Sequence, residues 1–241
     1  MMAITANNLS FSFGGNNIIS NADFSLEAGK IILLKGDNGC GKTTLLNLFS
    51  GLLKPQSGEL RINLKGNSFD AYRYSDAQLA REGVGRLLQN IQLFPTMDVL
   101  DNVKMGGIVH LPGSNVLSAL FYRKKIKQKE MESTSMAIKN LENVGMAHKK
   151  DSSADKLSVG QMKRVGIARL LQSDSTIWLL DEPLAGLDSH SITQILDLIT
   201  EINDKQKKTI IIVEHLHNHI EAIADQSWQL VDAQLFLEKD G

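Results

Sequence analysis

Three short apolar runs punctuate the chain, at 30–35, 176–180 and 209–213. Each is rich in Ile or Leu, lacks strict alternation and is bounded by polar or turn residues. That pattern predicts strands covered on both faces, as in a parallel sheet. Helical patterns adjoin them. The run 42–50 carries Leu45, Leu46 and Phe49 at helical spacing, and Gly51 supplies a stop. The run 189–202 places Ile192, Ile195, Leu196, Ile199 and Ile202 on one face, with Asp188 or Ser189 as its N-cap. Strand–helix alternation of this kind predicts an α/β fold with a mostly parallel, doubly wound sheet. Three further segments, 9–13, 21–26 and 59–64, read as short, half-exposed strands of an antiparallel sheet beside that core. The middle of the chain, about 100–156, is mostly helical in pattern, with Ile138, Leu141 and Val144 at three-residue spacing. A further helical pattern runs over 162–171. No repeat, low-complexity tract or Pro/Gly-rich linker divides the 241 residues, so one domain is expected over 1–241.

Composition narrows the class. Apolar residues make up 42% and charged residues 22%, ordinary globular usage that argues against disorder. The net charge of −1 gives no sign of an electrostatic nucleic-acid binder, so no nucleic-acid partner is expected. Cys40 is the sole cysteine, which rules out an internal disulfide and fits a cytosolic setting. Residues 1–8 lack the positive start and apolar stretch of a secretory signal. No apolar run approaches the ~18 residues of a membrane span. The expected location is therefore cytoplasmic, with any membrane role reached through partners.

Gly36-Asp37-Asn38-Gly39-Cys40-Gly41-Lys42-Thr43 matches the phosphate-loop pattern G-x-x-x-x-G-K-[ST], between a predicted buried strand and a predicted helix. Glycines let the backbone curl so that successive N–H groups point at phosphate oxygens. The helix that follows adds the positive end of its dipole. Lys42 is expected to reach the β and γ phosphates and Thr43 to ligate Mg²⁺. A chance match in a chain of this length is on the order of one in a hundred from average glycine usage. Cys40 inside the loop reads as a small residue that fits.

The run Ile177-Trp178-Leu179-Leu180 ends in Asp181 and Glu182. On a strand, neighbours point to opposite sides, so the two acids can take separate tasks. Asp181 suits a Mg²⁺ site and Glu182 suits polarisation of an attacking water. Alone this pattern is weak; downstream of a phosphate loop it is much stronger.

Leu157-Ser158-Val159-Gly160-Gln161 precedes the helical pattern 162–171. The order of phosphate loop, Gln89, L-S-x-G-Q, strand-Asp-Glu, Leu187-Asp188 and His215 resembles that of ATP-binding-cassette (ABC) ATPases. The resemblance covers nearly the whole chain. It is nearest to the ATPase subunits of branched-chain amino acid importers, on the segments 89–97 and 99–103 and on Val213-Glu214-His215. It implies a P-loop NTPase with a RecA-like parallel core, an N-terminal antiparallel β-subdomain and a helical subdomain. The core is expected at about 1–88 and 162–241, and the helical insertion at about 89–161. It also implies ATP and Mg²⁺ as ligands, transmembrane permease subunits as partners, and dimerisation with itself or with a paralogous ATPase on the cytoplasmic face of the membrane.

Site roles follow from the resemblance by position. Glu182, His215 and Gln89 are the implied catalytic residues. His215 resembles the switch histidine that contacts the γ-phosphate, and Gln89 the glutamine that senses the metal and the attacking water. Thr43, Gln89 and Asp181 are the implied metal set. Nucleotide is to be bound by residues 36–43 with Thr44 behind them, by Phe13 stacking on adenine, and by Ser158, Gly160, Gln161 and Asp188 acting across a dimer. Phe11, nearby on the same strand, is an alternative to Phe13. Three departures stand out: Asp37 where proline is common, Leu216 where aspartate is frequent, and Val159, a β-branched residue that would resist φ > 0.

A motor subunit for membrane transport is the leading expectation. A non-transport ATPase of the same fold and a nucleotide-dependent regulator remain alongside it. The basic run 122–129 reads as a solvated helix face, with a sharper alternative of contact with anionic lipid headgroups.

Overall fold

The computed structural model describes residues 1–110 and 123–240. The chain opens with β1 (Met2–Phe13), β2 (Asn16–Glu27) and β3 (Ile31–Lys35), followed by α1 (Lys42–Phe49), β4 (Ser57–Leu64), β5 (Asn67–Asp70), α2 (Asp76–Glu82) and β6 (Val84–Leu87). The helices α3 (Val99–Lys104), α4 (Arg123–Asn143) and α5 (Val159–Gln172) come next. The chain then returns with β7 (Ile177–Asp181), α6 (Ser189–Gln206), β8 (Thr209–Val213), α7 (His217–Glu221), β9 (Gln226–Val231) and β10 (Gln234–Asp240).

The described residues divide into two compact units, 1–89 with 175–241, and 90–174. The first holds both sheets. A six-stranded sheet has the order β10-β9-β3-β8-β7-β6, parallel throughout except for the β9–β10 hairpin. A four-stranded antiparallel sheet has the order β2-β1-β4-β5. The three apolar runs form β3, β8 and β7, inner strands of the six-stranded sheet as expected, and Ile32, Leu33, Leu34, Leu179, Leu180, Ile211 and Ile212 are fully buried. Such strands have no polar face because both sides of a parallel sheet are covered. The N-terminal strands are longer than their hydrophobic pattern predicts. β1 begins at Met2 because it is paired on both edges, to β2 and to β4, so its weakly apolar half is held by ladder bonds. The β9–β10 hairpin and β6 carry too weak a pattern to be read from sequence. Even so, β9 flanks β3 in parallel register, with Leu34 opposite Trp228.

The second unit is helical. Leu141, Val144, Val165, Ile167 and Ala168 are buried in it, and Ile138 is only half-buried. The expected boundary at residue 161 is corrected to 174: α5 packs on α3 and α4, so it belongs to the helical unit. Among the described residues no helix is long and apolar enough to cross a membrane. Of the basic run, Tyr122 lies outside the described residues and 123–129 begin α4.

Candidate functional site

Four neighbouring parallel strands, β3, β8, β7 and β6, end on one edge of the large sheet. In open α/β sheets that carboxyl edge is where ligands bind. The phosphate loop leaves β3, the acidic pair closes β7, His215 follows β8 and Gln89 follows β6. Distant chain positions are thus set side by side by strand order alone, as the registers Leu34↔Val213 and Asp181↔Val213 show.

The loop 36–41 curls as its glycines permit. Gly36 has φ +146°, and an added Cβ would lie 2.6 Å from the Leu230 carbonyl oxygen and 2.7 Å from Cys40 Sγ. Gly41 has φ +114°, and its missing Cβ leaves room for Ile18, whose Cγ2 would stand 2.3 Å away. Gly41 is also the N-cap of α1, and no side chain caps that end. The first-turn N–H groups of α1 therefore keep the anion-binding character of a helix N-terminus. Lys42 is 6% exposed, and its Nζ donates to the carbonyl oxygens of Gly36 at 2.7 Å and Asp37 at 2.9 Å. The lysine is thereby laid across the loop it serves. Asp37 is exposed and gives the loop its backbone carbonyl, accepting from Cys40 N as well. Cys40 is half-buried against the core, consistent with a small space-filling residue.

Thr43 Oγ1 donates to Asp181 Oδ1 at 3.3 Å. Both are hard oxygen donors of the type a Mg²⁺ ion takes, and they adjoin the loop that would hold phosphate. Asp181 Oδ2 is engaged separately, by Arg86 at 3.2 Å. Burial pushes the Arg86 guanidinium down from its ordinary value, and Asp181 opposes that shift.

The acidic pair diverges for a different reason than strand pleating. β7 ends at Asp181, and Glu182 sits in the left-handed region at φ +49° with its N–H bonded to the Val213 carbonyl. A backbone turn, held by β8, sends the second carboxylate elsewhere. A non-glycine residue there is strained by the order of 1 kcal/mol, the kind of local strain that clusters at functional sites. Glu182 Oε2 accepts from Gln89 Nε2 at 2.6 Å, and Oε1 lies 3.0 Å from His215 Nε2. The three implied catalytic residues thus form one chain of contacts.

The remaining predicted residues are placed separately. Phe13 closes β1, 49% exposed, with Phe11 edge-on at 4.8 Å beneath it. Phe11 is itself buried in the core, so Phe13 is the ring with a free face. Asp188 caps α6, accepting from Ser191 N at 2.8 Å, and that N–H holds its carboxyl below the usual carboxylate range. Ser158, Gly160 and Gln161 belong to the helical unit. Ser158 is the N-cap of α5, and Gln161 completes a capping box with it. Val159 opens α5 in right-handed conformation, so the expected conflict with φ > 0 does not arise. Leu216 is exposed at the N-cap of α7.

Two residues at the site have no role assigned from the sequence. Glu214 is 1% exposed, with Oε1 accepting from Leu184 N at 2.6 Å and Oε2 from His215 N at 2.8 Å. It ties the turn after Glu182 to the turn carrying His215. The other is Arg86. A polar residue on or beside an apolar strand was the available signal for both, and neither sits in a phosphate-binding motif.

The family model for ABC transporters matches residues 19–185, which span the phosphate loop, the L-S-x-G-Q segment and the acidic pair. The chain belongs to the ABC transporter family. It is the ATP-binding, ATP-hydrolysing cassette of that family, and ATP is its nucleotide. Curated relatives of this cassette include the high-affinity branched-chain amino acid transport ATP-binding protein BraF of Pseudomonas aeruginosa. That protein is 30% identical over 217 residues, covering 90% of this chain and 83% of its own length. The probable branched-chain amino acid transport ATP-binding protein LivG of Methanocaldococcus jannaschii is 32% identical over 241 residues, covering 100% and 91%. Among solved structures, a nucleotide-free ATP-binding cassette from an ABC transporter superposes with TM-score 0.83 at 30% identity. It matches 100% of this chain and 92% of its own. The ADP conformation of an ATP-binding cassette of an ABC transporter does so with TM-score 0.84 at 32% identity, with the same coverage.

Proposed function

We propose that this cassette powers import of branched-chain amino acids, as a dimer held peripherally on the cytoplasmic face by membrane-spanning permease subunits. The observation that carries the catalytic half of this reading is the Glu182 carboxylate, held between Gln89 at 2.6 Å and His215 at 3.0 Å on the sheet edge from which the phosphate loop also leaves. The cargo half rests on similarity to relatives named for branched-chain amino acid transport.

The geometry supports the residue roles that the resemblance to ABC ATPases implies. The loop N–H groups and Lys42 take the β and γ phosphates. Thr43 and Asp181 supply the oxygens for Mg²⁺, with the Gln89 amide oxygen as a further donor. When bound there, Mg²⁺ neutralises charge developing on the phosphate oxygens. Glu182 accepts a proton from the attacking water, and His215 contacts the γ-phosphate and keeps Glu182 aimed. Ser158 and Gly160, at the N-terminus of α5, offer a second anion site to nucleotide held by a second cassette.

Phe13 stacks on adenine. Phe13→Ala is expected to weaken ATP binding about tenfold, as loss of one aromatic–base stack does, and Phe13→Trp to preserve it. Equal affinities by fluorescence titration would remove Phe13 from the site.

The function is tested by purifying the tagged protein from gently solubilised membranes. Multi-span proteins at near-stoichiometric amounts, with leucine uptake lost when the gene is deleted, are the expected result. Recovery with ribosomal or DNA-repair proteins would leave the ATPase standing and overturn the transporter reading.

A further inference from the structure

Arg86 lies on β6, and its side chain is 13% exposed. Its guanidinium makes contacts in two directions. Nη2 donates to Asp181 Oδ2 at 3.2 Å, while Nη1 donates to Asn47 Oδ1 and, at 3.3 Å, to Ser50 Oγ. Asn47 lies within α1 and Ser50 closes it, and α1 is the helix that also carries Lys42 and Thr43. One planar group thus joins the strand leading to Gln89, the phosphate-loop helix and the carboxylate at the end of β7.

The carboxylate is divided by this arrangement. Oδ2 belongs to Arg86, and Oδ1 faces the Thr43 hydroxyl at 3.3 Å. Asp181 itself is only 5% exposed, so solvent does little to set its orientation. Fold stability is a weak reason for the pair. Burying two charges costs much of what their attraction returns, and well-packed apolar replacements are often neutral. Nε of Arg86 is moreover buried without a partner among the described residues, a further cost to a purely structural staple.

We infer that Arg86 is a positioning residue that holds one oxygen of Asp181 so that the other is presented beside Thr43 in a fixed orientation, favouring Mg²⁺ over larger divalent ions. The inference rests on Thr43 and Asp181 being the metal ligands. Mg²⁺ demands near-ideal octahedral geometry, whereas Ca²⁺ accepts flexible and bidentate carboxylates. A carboxylate locked at one oxygen serves the first and gives the second no advantage. Groups that orient a ligand in this way typically change metal affinity by about 10–100-fold when removed. Lysine cannot substitute fully, since a point charge lacks the rigid fork that reaches Asp181, Asn47 and Ser50 together.

The test is binding of a fluorescent ATP analogue to the full chain, without metal and then titrated with Mg²⁺ or Ca²⁺. For Arg86→Met the Mg²⁺ requirement is expected to rise about tenfold, with Ca²⁺ little affected and metal-free nucleotide affinity within about twofold. Arg86→Lys and Asn47→Ala, which keep a cation near Asp181, are expected to shift the Mg²⁺-to-Ca²⁺ ratio in the same direction by less, and they decide the matter if Arg86→Met does not fold. Parallel losses in all three conditions at an unchanged ratio would make Arg86 a staple and overturn the inference. A tighter Mg²⁺ site would overturn it too, by making Arg86 a competitor of the ion. Asp181→Asn serves as the control: if it leaves the Mg²⁺ dependence untouched, the metal-ligand reading itself fails.

Discussion

Glu182→Gln is expected to stop ATP turnover while leaving ATP binding within about twofold of the parent, because it removes a general base and little of the shape. The Glu182 carboxylate has one oxygen on Gln89 and the other on His215. Glutamine is nearly isosteric and can keep both contacts by turning its amide. It cannot take a proton from water. General-base assistance contributes about 10²–10⁴-fold, so kcat is expected to fall by that range. The backbone strain at φ +49° is the same for both residues, so the fold should be unaffected. With hydrolysis blocked, nucleotide should stay sandwiched, and size-exclusion chromatography in saturating ATP is expected to give a dimer. Retained turnover would move the base to another residue; a variant that stays monomeric would count against the sandwich.

The second large effect is at Gly36. Alanine there places a Cβ 2.6 Å from a backbone oxygen of β9 and 2.7 Å from Cys40 Sγ, at φ +146°. The sulfur can rotate away, but the β9 backbone is locked in its ladder with β3. The loop must therefore move. Backbone strain of about 1–3 kcal/mol and overpacking of similar size both apply. Gly36→Ala is expected to lower the melting temperature by several degrees and ATP affinity by more than about tenfold, since a shifted loop no longer aims its N–H groups at phosphate. Cys40→Ala in the same background should recover only the sulfur's share. Wild-type affinity in Gly36→Ala would show that the loop adapts at no cost to function.

Much of this site was legible along the chain because its chemistry is local. A phosphate cradle needs consecutive N–H groups, so 36–43 form one continuous motif. The acids and the histidine end strongly apolar strands, so their positions at one sheet edge follow once parallel order is inferred. The failures share a cause as well. β6 and β9 are short or mixed in polarity and owe their existence to the neighbours they pair with. α5 looked like core from its motif, yet its apolar face packs on α3 and α4.

The sequence by itself determined the nucleotide class, the parallel core and the phosphate-loop motif, because these rest on contiguous motifs and on burial of apolar runs. Only the tertiary structure decided how the acidic pair diverges, through the left-handed turn at Glu182 anchored on Val213. The same holds for the exposure of Phe13 and the burial of Phe11, and for the placement of Arg86 and Glu214 at the site. Those outcomes depend on which strands lie side by side and on which backbone groups a buried side chain can reach, and no stretch of neighbouring residues encodes that.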